Sequence, residues 1–456
     1  MKRARIILPI IILAATSLAV LLGVWSRAPK SFDHQGRSVE AWIKELRSDE
    51  YAKRSAAKAA IVEMEMRVVP HLIQELQQHE SGMPRPLLEL ASKAGLALIL
   101  RDEAVRRRAV AAETLALLPR HAAPAIPALL EALEDEDKTV VAEAERALRR
   151  MGESAEVQIL ETLAKGSNKK REAAARLIRD LRSASPQAVT ALRVALEDKA
   201  PSVRREAAVS LRTTGDPRAN IPPLMSSLSD AEPRVREAVA RTLGEFGAQA
   251  RAARKPLEAC LQDDDMLTRV AVAEALWKVG GDTDKALAAL VGAIRDRDVR
   301  WRAVMVIASM GEEGASAIPF LIAALGDASM HRPFRDAPLA ATALGRIGKA
   351  AWPALLEACR SDDANTRCGA ALALRDAGRV AGGNERAAMR ELLGDRETPV
   401  RYAAALALIA MEEVDEALIP VLRSMLSADD DVLRQAAVRS LKRISPDLAW
   451  EMRNLE

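Results

Sequence analysis

The residues best suited to chemistry in this 456-residue chain are five histidines and three cysteines. Catalysis or metal binding by such side chains needs them close together, usually one helical turn apart or within a short motif. No two histidines stand at ligand spacing on one helix, and the sequence contains no GxSxG, HExxH, P-loop or GxGxxG motif. The sequence therefore predicts no catalytic centre, no metal and no cofactor. The histidines are His34, His71, His79, His121 and His331.

The cysteines are odd in number and cannot close into a complete disulfide framework. Cys260 and Cys359 each replace an apolar residue near the end of a helix, which favours small buried side chains. Cys368 has no such placement, and a disulfide between Cys359 and Cys368 is an alternative that the sequence leaves open.

The charged residue that does recur is an arginine. It appears at intervals of 31 to 35 residues from Arg171 to Arg434, and Arg106 lies two periods before the first of them. A fixed period of this length is the mark of a repeat protein. The series is Arg171, Arg204, Arg236, Arg269, Arg300, Arg335, Arg367, Arg401 and Arg434.

An acidic residue stands five or six positions before many of these arginines. Since a cation in the first turn of a helix opposes the helix dipole, each arginine needs compensation. We predict a structural ladder in which each arginine meets turn carboxylates of its own or the adjacent unit. An anion-binding stripe is the alternative. The carboxylates are Asp198, Asp230, Asp263, Asp395 and Asp429.

Prolines and glycines divide each unit into two helices. A proline opens the second helix, where its missing N–H has no role, as at Ile126-Pro127, Ile221-Pro222 and Ile419-Pro420. A glycine follows the first helix, where a left-handed residue is wanted; Gly247 is one example. Apolar residues recur at helical spacing, and one such pair cannot bury its apolar face alone. The sequence predicts an all-α superhelix, an armadillo-like solenoid of about 11 to 12 helical hairpins.

This pattern over residues 100–445 resembles the HEAT-repeat superfamily, in particular the short units also found in phycobilisome lyases. The opening from Gly36 to Ile43, with Trp42, looks like that of exported bacterial HEAT-repeat proteins. The resemblance implies the fold and says little about function. Metal enzymes of this superfamily carry several His-Glu pairs, whereas this chain has only His79-Glu80. The motifs of ankyrin and tetratricopeptide units, which have similar periods, are missing.

Residues 6–25 form an uncharged, mostly apolar run after a basic stub at 1–5. About 20 residues at ~1.5 Å each span a bilayer core. No Ala-x-Ala site ends the run, so we predict a single-pass membrane anchor, with the rest of the chain on the extracytoplasmic, periplasmic side. Secretion after signal-peptide cleavage is the alternative. Beyond residue 30 the chain has 62 basic and 64 acidic residues, a net charge of −2, which argues against nucleic-acid binding.

The remaining segments follow from the repeat. We expect a linker at 26–37, irregular capping repeats at 38–101, regular repeats at 102–445 and a C-terminal cap at 446–456. The turn before the ninth unit is extended around Phe334, which is either an exposed contact or tucked against the next unit.

The predicted function is a non-enzymatic scaffold that binds protein partners from a membrane-anchored position. We expect its inner surface to be lined by the arginine-bearing helices. The best candidates for partner contacts are Arg212, Arg241, Phe334 and Arg346. The alternatives are an enzyme or enzyme subunit, resembling a bilin lyase, with a ligand in the groove, and a nucleic-acid-binding protein.

Overall fold

The computed structural model describes residues 33–78, 97–183, 185–326 and 339–444. These residues are almost entirely helical, apart from two short strands, β1 (Asp33–His34) and β2 (Arg37–Ser38), which pair antiparallel. The chain divides into two compact units, one ending at Gly215 and the other beginning at Asp216. The predicted anchor at 6–25, the extended turn around Phe334 and the cap at 446–456 lie outside the described residues.

Among the described residues, the first unit contains ten helices. They are α1 (Val39–Glu45), α2 (Tyr51–Met64), α3 (Val69–Gln77), α4 (Ala97–Leu115), α5 (Ile126–Glu131), α6 (Lys138–Met151), α7 (Glu153–Lys165), α8 (Asn168–Leu181), α9 (Pro186–Ala195) and α10 (Pro201–Ser210).

The second unit contains fourteen helices among the described residues. They are α11 (Pro217–Ser226), α12 (Pro233–Glu245), α13 (Arg254–Ala259), α14 (Met266–Lys278), α15 (Thr283–Ala293), α16 (Arg300–Met310), α17 (Ile318–Leu325), α18 (Leu339–Ile347), α19 (Trp352–Ala358), α20 (Ala364–Arg375), α21 (Gly383–Leu392), α22 (Thr398–Ala410), α23 (Ile419–Leu426) and α24 (Asp431–Ile444).

The even-numbered helices are the first helices of successive repeats, and the odd-numbered helices from α3 onward are the second ones. Four of the eleven described second helices, α5, α17, α19 and α23, begin at an isoleucine- or tryptophan-proline pair, as the proline pattern predicts. The prediction for Ile221-Pro222 is wrong. Asp216 caps α11 by accepting the N–H of Arg218 at 3.0 Å, so the helix begins at Pro217 and encloses Pro222. A capping aspartate followed by proline starts a helix as effectively as the later proline would.

The left-handed residue after the first helix is confirmed. It stands eleven positions after the repeat arginine, as Gly247 does after Arg236, and its φ is 53° there. Arg182 and Glu412 occupy the same position in their repeats with φ of 51° and 63°. The turn therefore imposes a positive φ even where the residue is not glycine, at a conformational cost that glycine avoids.

Neighbouring first helices approach closely through small residues. A Cβ placed on Gly244 of α12 would lie 3.0 Å from Cα and 3.2 Å from Cβ of Ala275 in α14. The predicted apolar stripe of α12 is buried at this interface, with Val235, Val239 and Leu243 fully covered. Burying each such side chain contributes roughly 1.5–3 kcal/mol, so stacking of the repeats is the main source of stability.

The N-terminal strands and α1 close one edge of the first unit. Ser38 caps α1 by accepting the N–H of Ala41 at 3.3 Å. Trp42 is only 6% exposed; its indole N–H donates to the carbonyl of His34 at 3.1 Å. The Arg37 guanidinium lies 4.9 Å from the Trp42 ring centroid. The tryptophan thus anchors the strand pair to the first helix.

Within the described residues, one run, Arg300–Leu325, is long and apolar enough to cross a membrane by length and composition. It is not one straight helix. Gly311, with φ of 58°, ends α16, and a 3-10 turn separates it from α17. Val304 and Ile307 are fully buried in the repeat interior, so this run is better explained as an apolar helix pair of the repeat.

Candidate functional site

In four of the described repeats, an arginine near the start of the first helix binds an aspartate of the following repeat. Arg236 is typical: its Nε donates to Oδ2 of Asp263 and its Nη2 to Oδ1, both at 2.6 Å. The two side chains are 15% and 8% exposed. The paired geometry matches the planar guanidinium to the carboxylate, which gives strong, orientation-specific hydrogen bonds. This contact links two neighbouring repeats.

Three other described pairs have the same geometry. Arg171 donates to Asp198 at 2.7 Å from both nitrogens, and Arg367 to Asp395 at 2.7 and 3.0 Å. The early member is Arg108, not Arg106, because Arg108 makes the paired contact with Asp135 at 2.6 and 3.1 Å. Arg106 instead meets the exposed Asp49.

These aspartates also accept hydrogen bonds from groups of their own repeat. The Asp395 carbonyl accepts from Nη1 of Arg401 at 2.7 Å, while its carboxylate also accepts the N–H of Glu397 at 2.9 Å. The carbonyls of Asp198 and Asp230 accept in the same way from Arg204 and Arg236, both at 2.8 Å. Arg171, Arg236 and Arg367 therefore have acceptors from two turns, which offset their unfavourable position near the helix N-terminus.

The protonation behaviour of these aspartates reflects two opposing effects. Burial raises the pKa of Asp263, but the hydrogen bonds from Arg236 and from the Asp265 N–H outweigh it and lower the pKa overall. For Asp395 the hydrogen bonds from Arg367 are the largest cause, and its pKa is also lowered. Both carboxylates are therefore held ionised against their arginines.

The ladder is interrupted at Arg269. Its Nε is buried without a hydrogen-bond partner. The interval to Arg300 is the shortest of the series, and it leaves Ile294 six positions before Arg300, where other repeats carry the aspartate. The main-chain carbonyl of Asp296 accepts the N–H of Arg300 at 2.9 Å, and α16 begins at Arg300 itself. Asp296 stands 27 residues after Arg269, the same separation as Asp263 from Arg236, so the sequence carries no clear signal for this break.

The prediction for Asp429 is wrong by one residue. Ala428 stands six positions before Arg434, and its carbonyl accepts from that arginine. Asp429 is exposed. Since Ala428 has no carboxylate, Arg401 binds Thr398 Oγ1 at 2.6 Å instead. Arg434 is paired with Asp431 in its own first turn.

The solvent-facing side of the first helices, here called their outward side, carries pairs of oppositely charged side chains. In the first unit Arg176 of α8 meets Glu145 of α6 at 3.0 Å, and Arg149 of α6 meets Asp180 of α8 at 2.8 Å. In the second unit Lys278 of α14 binds Glu274 at 2.7 Å and Glu245 of α12 at 2.9 Å. Positive and negative side chains therefore alternate on this side, both along one helix and between neighbouring helices.

One group of side chains on the second unit departs from this pattern. Trp301 and Met305 of α16 are 52% and 39% exposed. Beside them Arg302 reaches over α14 to Glu237 of α12, at 2.8 Å, and its Cζ lies 5.7 Å from the Trp301 ring centroid. Sequence reasoning missed this group. The sequence signal for it is Trp301, which stands one position after the repeat arginine Arg300. The matching position of α12 is Glu237.

The predicted partner contacts have different placements. Arg241 lies on the outward side of α12 and is 42% exposed, 3.5 Å from Glu237. Arg212 and Arg346 are also exposed, Arg212 just after α10 and Arg346 in the last turn of α18. Phe334 lies outside the described residues. The structure therefore brings only Arg241 into the group around Trp301.

The histidines and cysteines, the residues best suited to chemistry, lie apart from one another across the residues that the structure describes. His34, His71 and His121 each face a different glutamate, at 3.0, 3.4 and 3.8 Å. All three cysteines are free. Burial raises the pKa of Cys359 to about 12 and that of Cys368 to about 11, so both thiols are protonated at neutral pH. In the described part of the chain, no three metal-ligating side chains converge.

Stacked pairs of antiparallel helices, joined by a repeating arginine–aspartate contact, define an α-helical repeat protein. A sequence profile of HEAT repeats matches residues 94–179, 221–298, 295–375 and 353–442. The chain belongs to the HEAT-repeat family. No curated protein matches it.

Solved structures share the fold. Kap121p bound to RanGTP is 12% identical with a TM-score of 0.50, and the match covers 89% of this chain and 48% of that one. The karyopherin Kap121p bound to the extreme C-terminus of the protein phosphatase Cdc14p is 16% identical with a TM-score of 0.49, covering 80% and 46%. The chain spans about half the length of these structures, and at this identity the likeness concerns the fold alone.

Proposed function

We propose that this chain is a non-enzymatic scaffold that binds protein partners along the outward side of its first helices. One observation carries the proposal. That side has many pairs of opposite charge, and among them lies one exposed apolar group, Trp301 and Met305. Protein interfaces combine an apolar centre with a polar, mixed-charge rim. A nucleic-acid surface instead needs a continuous positive stripe to neutralise phosphates.

The cellular setting is part of the same proposal. The apolar run 6–25, after the basic stub 1–5, is the basis for a membrane anchor with the repeats on the extracytoplasmic side. The repeat interval of 31 to 35 residues supports the view that the repeats are short units of the phycobilisome-lyase type. In this proposal those units bind protein partners. Alkaline carbonate extraction of membranes tests the anchor: the full chain should stay in the pellet, and a chain lacking residues 1–37 should not. Release of the full chain by carbonate would contradict it.

Partner binding is tested by affinity purification from detergent-solubilised membranes with the full chain as bait. Charge reversal at Arg205 and Arg241, both exposed on first helices, should reduce recovery of specific partners at least tenfold. The matched control reverses Arg251 and Lys255, which are exposed beside the second helix α13 and change the net charge equally. Partners lost with the control but kept with the first variant would place binding on the opposite side. No saturable partner with the unmodified bait would refute a scaffold.

A further inference from the structure

The exposed apolar side chains of α16 interrupt an otherwise charged surface. Trp301 and Met305 are one helical turn apart, so their side chains lie on the same side of the helix. They are 52% and 39% exposed. In the preceding first helix, α14, the position matching Met305 carries Glu274, which is paired with Lys278 at 2.7 Å. Tryptophan and methionine are enriched at the centres of protein interfaces.

The surroundings of these two side chains carry an excess of positive charge. Glu237 is approached by Arg302 at 2.8 Å, Arg234 at 3.1 Å and Arg241 at 3.5 Å. Three guanidinium groups share one carboxylate, which leaves a local charge of +2. Glu245 and Glu274, which also act on Arg241, share one cation, Lys278, so the wider group of seven side chains keeps a net charge of +1. An incoming carboxylate would find arginine donors that Glu237 alone does not satisfy.

Arg302 is already held in place before any partner arrives. Glu237 is 10% exposed and fixes Arg302, whose guanidinium also lies against the Trp301 ring at 5.7 Å. Burial, followed by repulsion from Arg302, lowers the pKa of Arg241. Because side chains fixed in advance lose little conformational entropy on binding, this arrangement favours affinity.

We propose that Arg234, Glu237, Arg241, Trp301, Arg302 and Met305, here called the Trp301 patch, bind an acidic segment of a protein partner that also carries a bulky apolar side chain. The apolar side chain packs on Trp301 and Met305, and neighbouring carboxylates accept hydrogen bonds from Arg241 and Arg302. This inference rests on the proposed scaffold function and narrows it to one site and one partner chemistry.

The test measures fluorescence anisotropy of a labelled peptide, Glu-Asp-Glu-Leu-Phe-Glu-Asp-Leu, titrated with the full chain in detergent. We expect saturable binding that weakens with added salt, since exposed charges are screened. A peptide with every acid replaced by lysine, and one with leucine and phenylalanine replaced by serine, should each bind at least tenfold more weakly. Equal binding of the three peptides would overturn the proposal, as would no binding of the first.

Variants locate the site. Trp301→Ala and Arg241→Glu should each weaken binding of the acidic peptide at least tenfold, a loss typical of interface hot spots. The controls Phe320→Ala, which truncates another exposed aromatic at 45% exposure, and Arg251→Glu should change it less than twofold. Circular dichroism checks folding, and Met305→Asp replaces Trp301→Ala if that variant does not fold. Equal effects of patch and control variants would overturn the site. Partners recovered by the bait but insensitive to these patch variants would leave the scaffold function standing while this inference fails.

Discussion

The contact between Arg367 and Asp395 gives the sharpest test of what holds neighbouring repeats together. The two side chains are 8% and 7% exposed and joined by hydrogen bonds of 2.7 and 3.0 Å. Removing one partner of a buried pair typically costs about 3–5 kcal/mol. In Asp395→Ala, Arg367 keeps the carbonyls of Ser361 and Asp362 at 2.9 and 3.0 Å, so we expect about 3 kcal/mol, the lower end.

A double-mutant cycle isolates the pair. We expect Arg367→Ala and Asp395→Ala to show a coupling of about 2 kcal/mol, within the range for residues that share hydrogen bonds. The control is Lys58–Glu113, which has the same closest distance of 2.7 Å but is 39% and 35% exposed. Exposed pairs usually contribute below ~1 kcal/mol.

The assay is urea unfolding followed by circular dichroism, with native-state hydrogen exchange across α20 and α22. Hydrogen exchange is needed because repeat proteins open locally as well as globally. In Asp395→Ala the amides of α20 and α22 should exchange faster, while those of α12 and α14 should not change. A coupling below about 0.5 kcal/mol would show that the ladder is not a source of stability.

The same pair predicts a pH dependence. The pKa of Asp395 in the folded protein is lowered, chiefly by the hydrogen bonds from Arg367. Its contribution is therefore fully present above the unfolded pKa of about 3.9 and is lost as the pH falls through the folded value. The stability gap between the wild type and Asp395→Asn should be constant from neutral pH down to about 5 and shrink in more acidic buffer. A gap that persists in acid would contradict this.

Three further predictions follow from packing and turns. Gly244→Ala should destabilise by about 1–3 kcal/mol because its Cβ meets Ala275, whereas Gly292→Ala, with nothing within 4 Å, should stabilise by up to ~1 kcal/mol in urea unfolding; the reverse order would refute close helix approach. Arg182→Gly should raise the free energy of unfolding by about 0.5–1 kcal/mol, since Arg182 has φ of 51°; unchanged stability would show no strain there. Iodoacetamide at pH 8, followed by mass spectrometry, should label Cys260 before Cys359, whose pKa is about 12; faster labelling of Cys359 would contradict its burial.

Much of the repeat was predictable because its determinants are local. A proline at the first turn, a glycine eleven positions after the arginine and apolar residues at helical spacing act within one helix pair. Where the local signals competed, the prediction was wrong: Pro217 behind the Asp216 cap starts α11 ahead of Pro222. Asp429 was misassigned because a shift of one residue places Ala428 at the turn carbonyl instead.

The contacts between repeats were decided by the tertiary structure. The sequence places Asp230 six residues before Arg236, but the carboxylate that Arg236 binds belongs to Asp263, 27 residues later. A short interval alone does not reveal that Arg269 lacks this contact. Nor does a tryptophan on a helix reveal its exposure, because burial depends on which side chains of the neighbouring helices reach it. Trp301 is exposed and Arg302 of α16 reaches Glu237 of α12, 65 residues earlier, and both facts depend on how these helices pack.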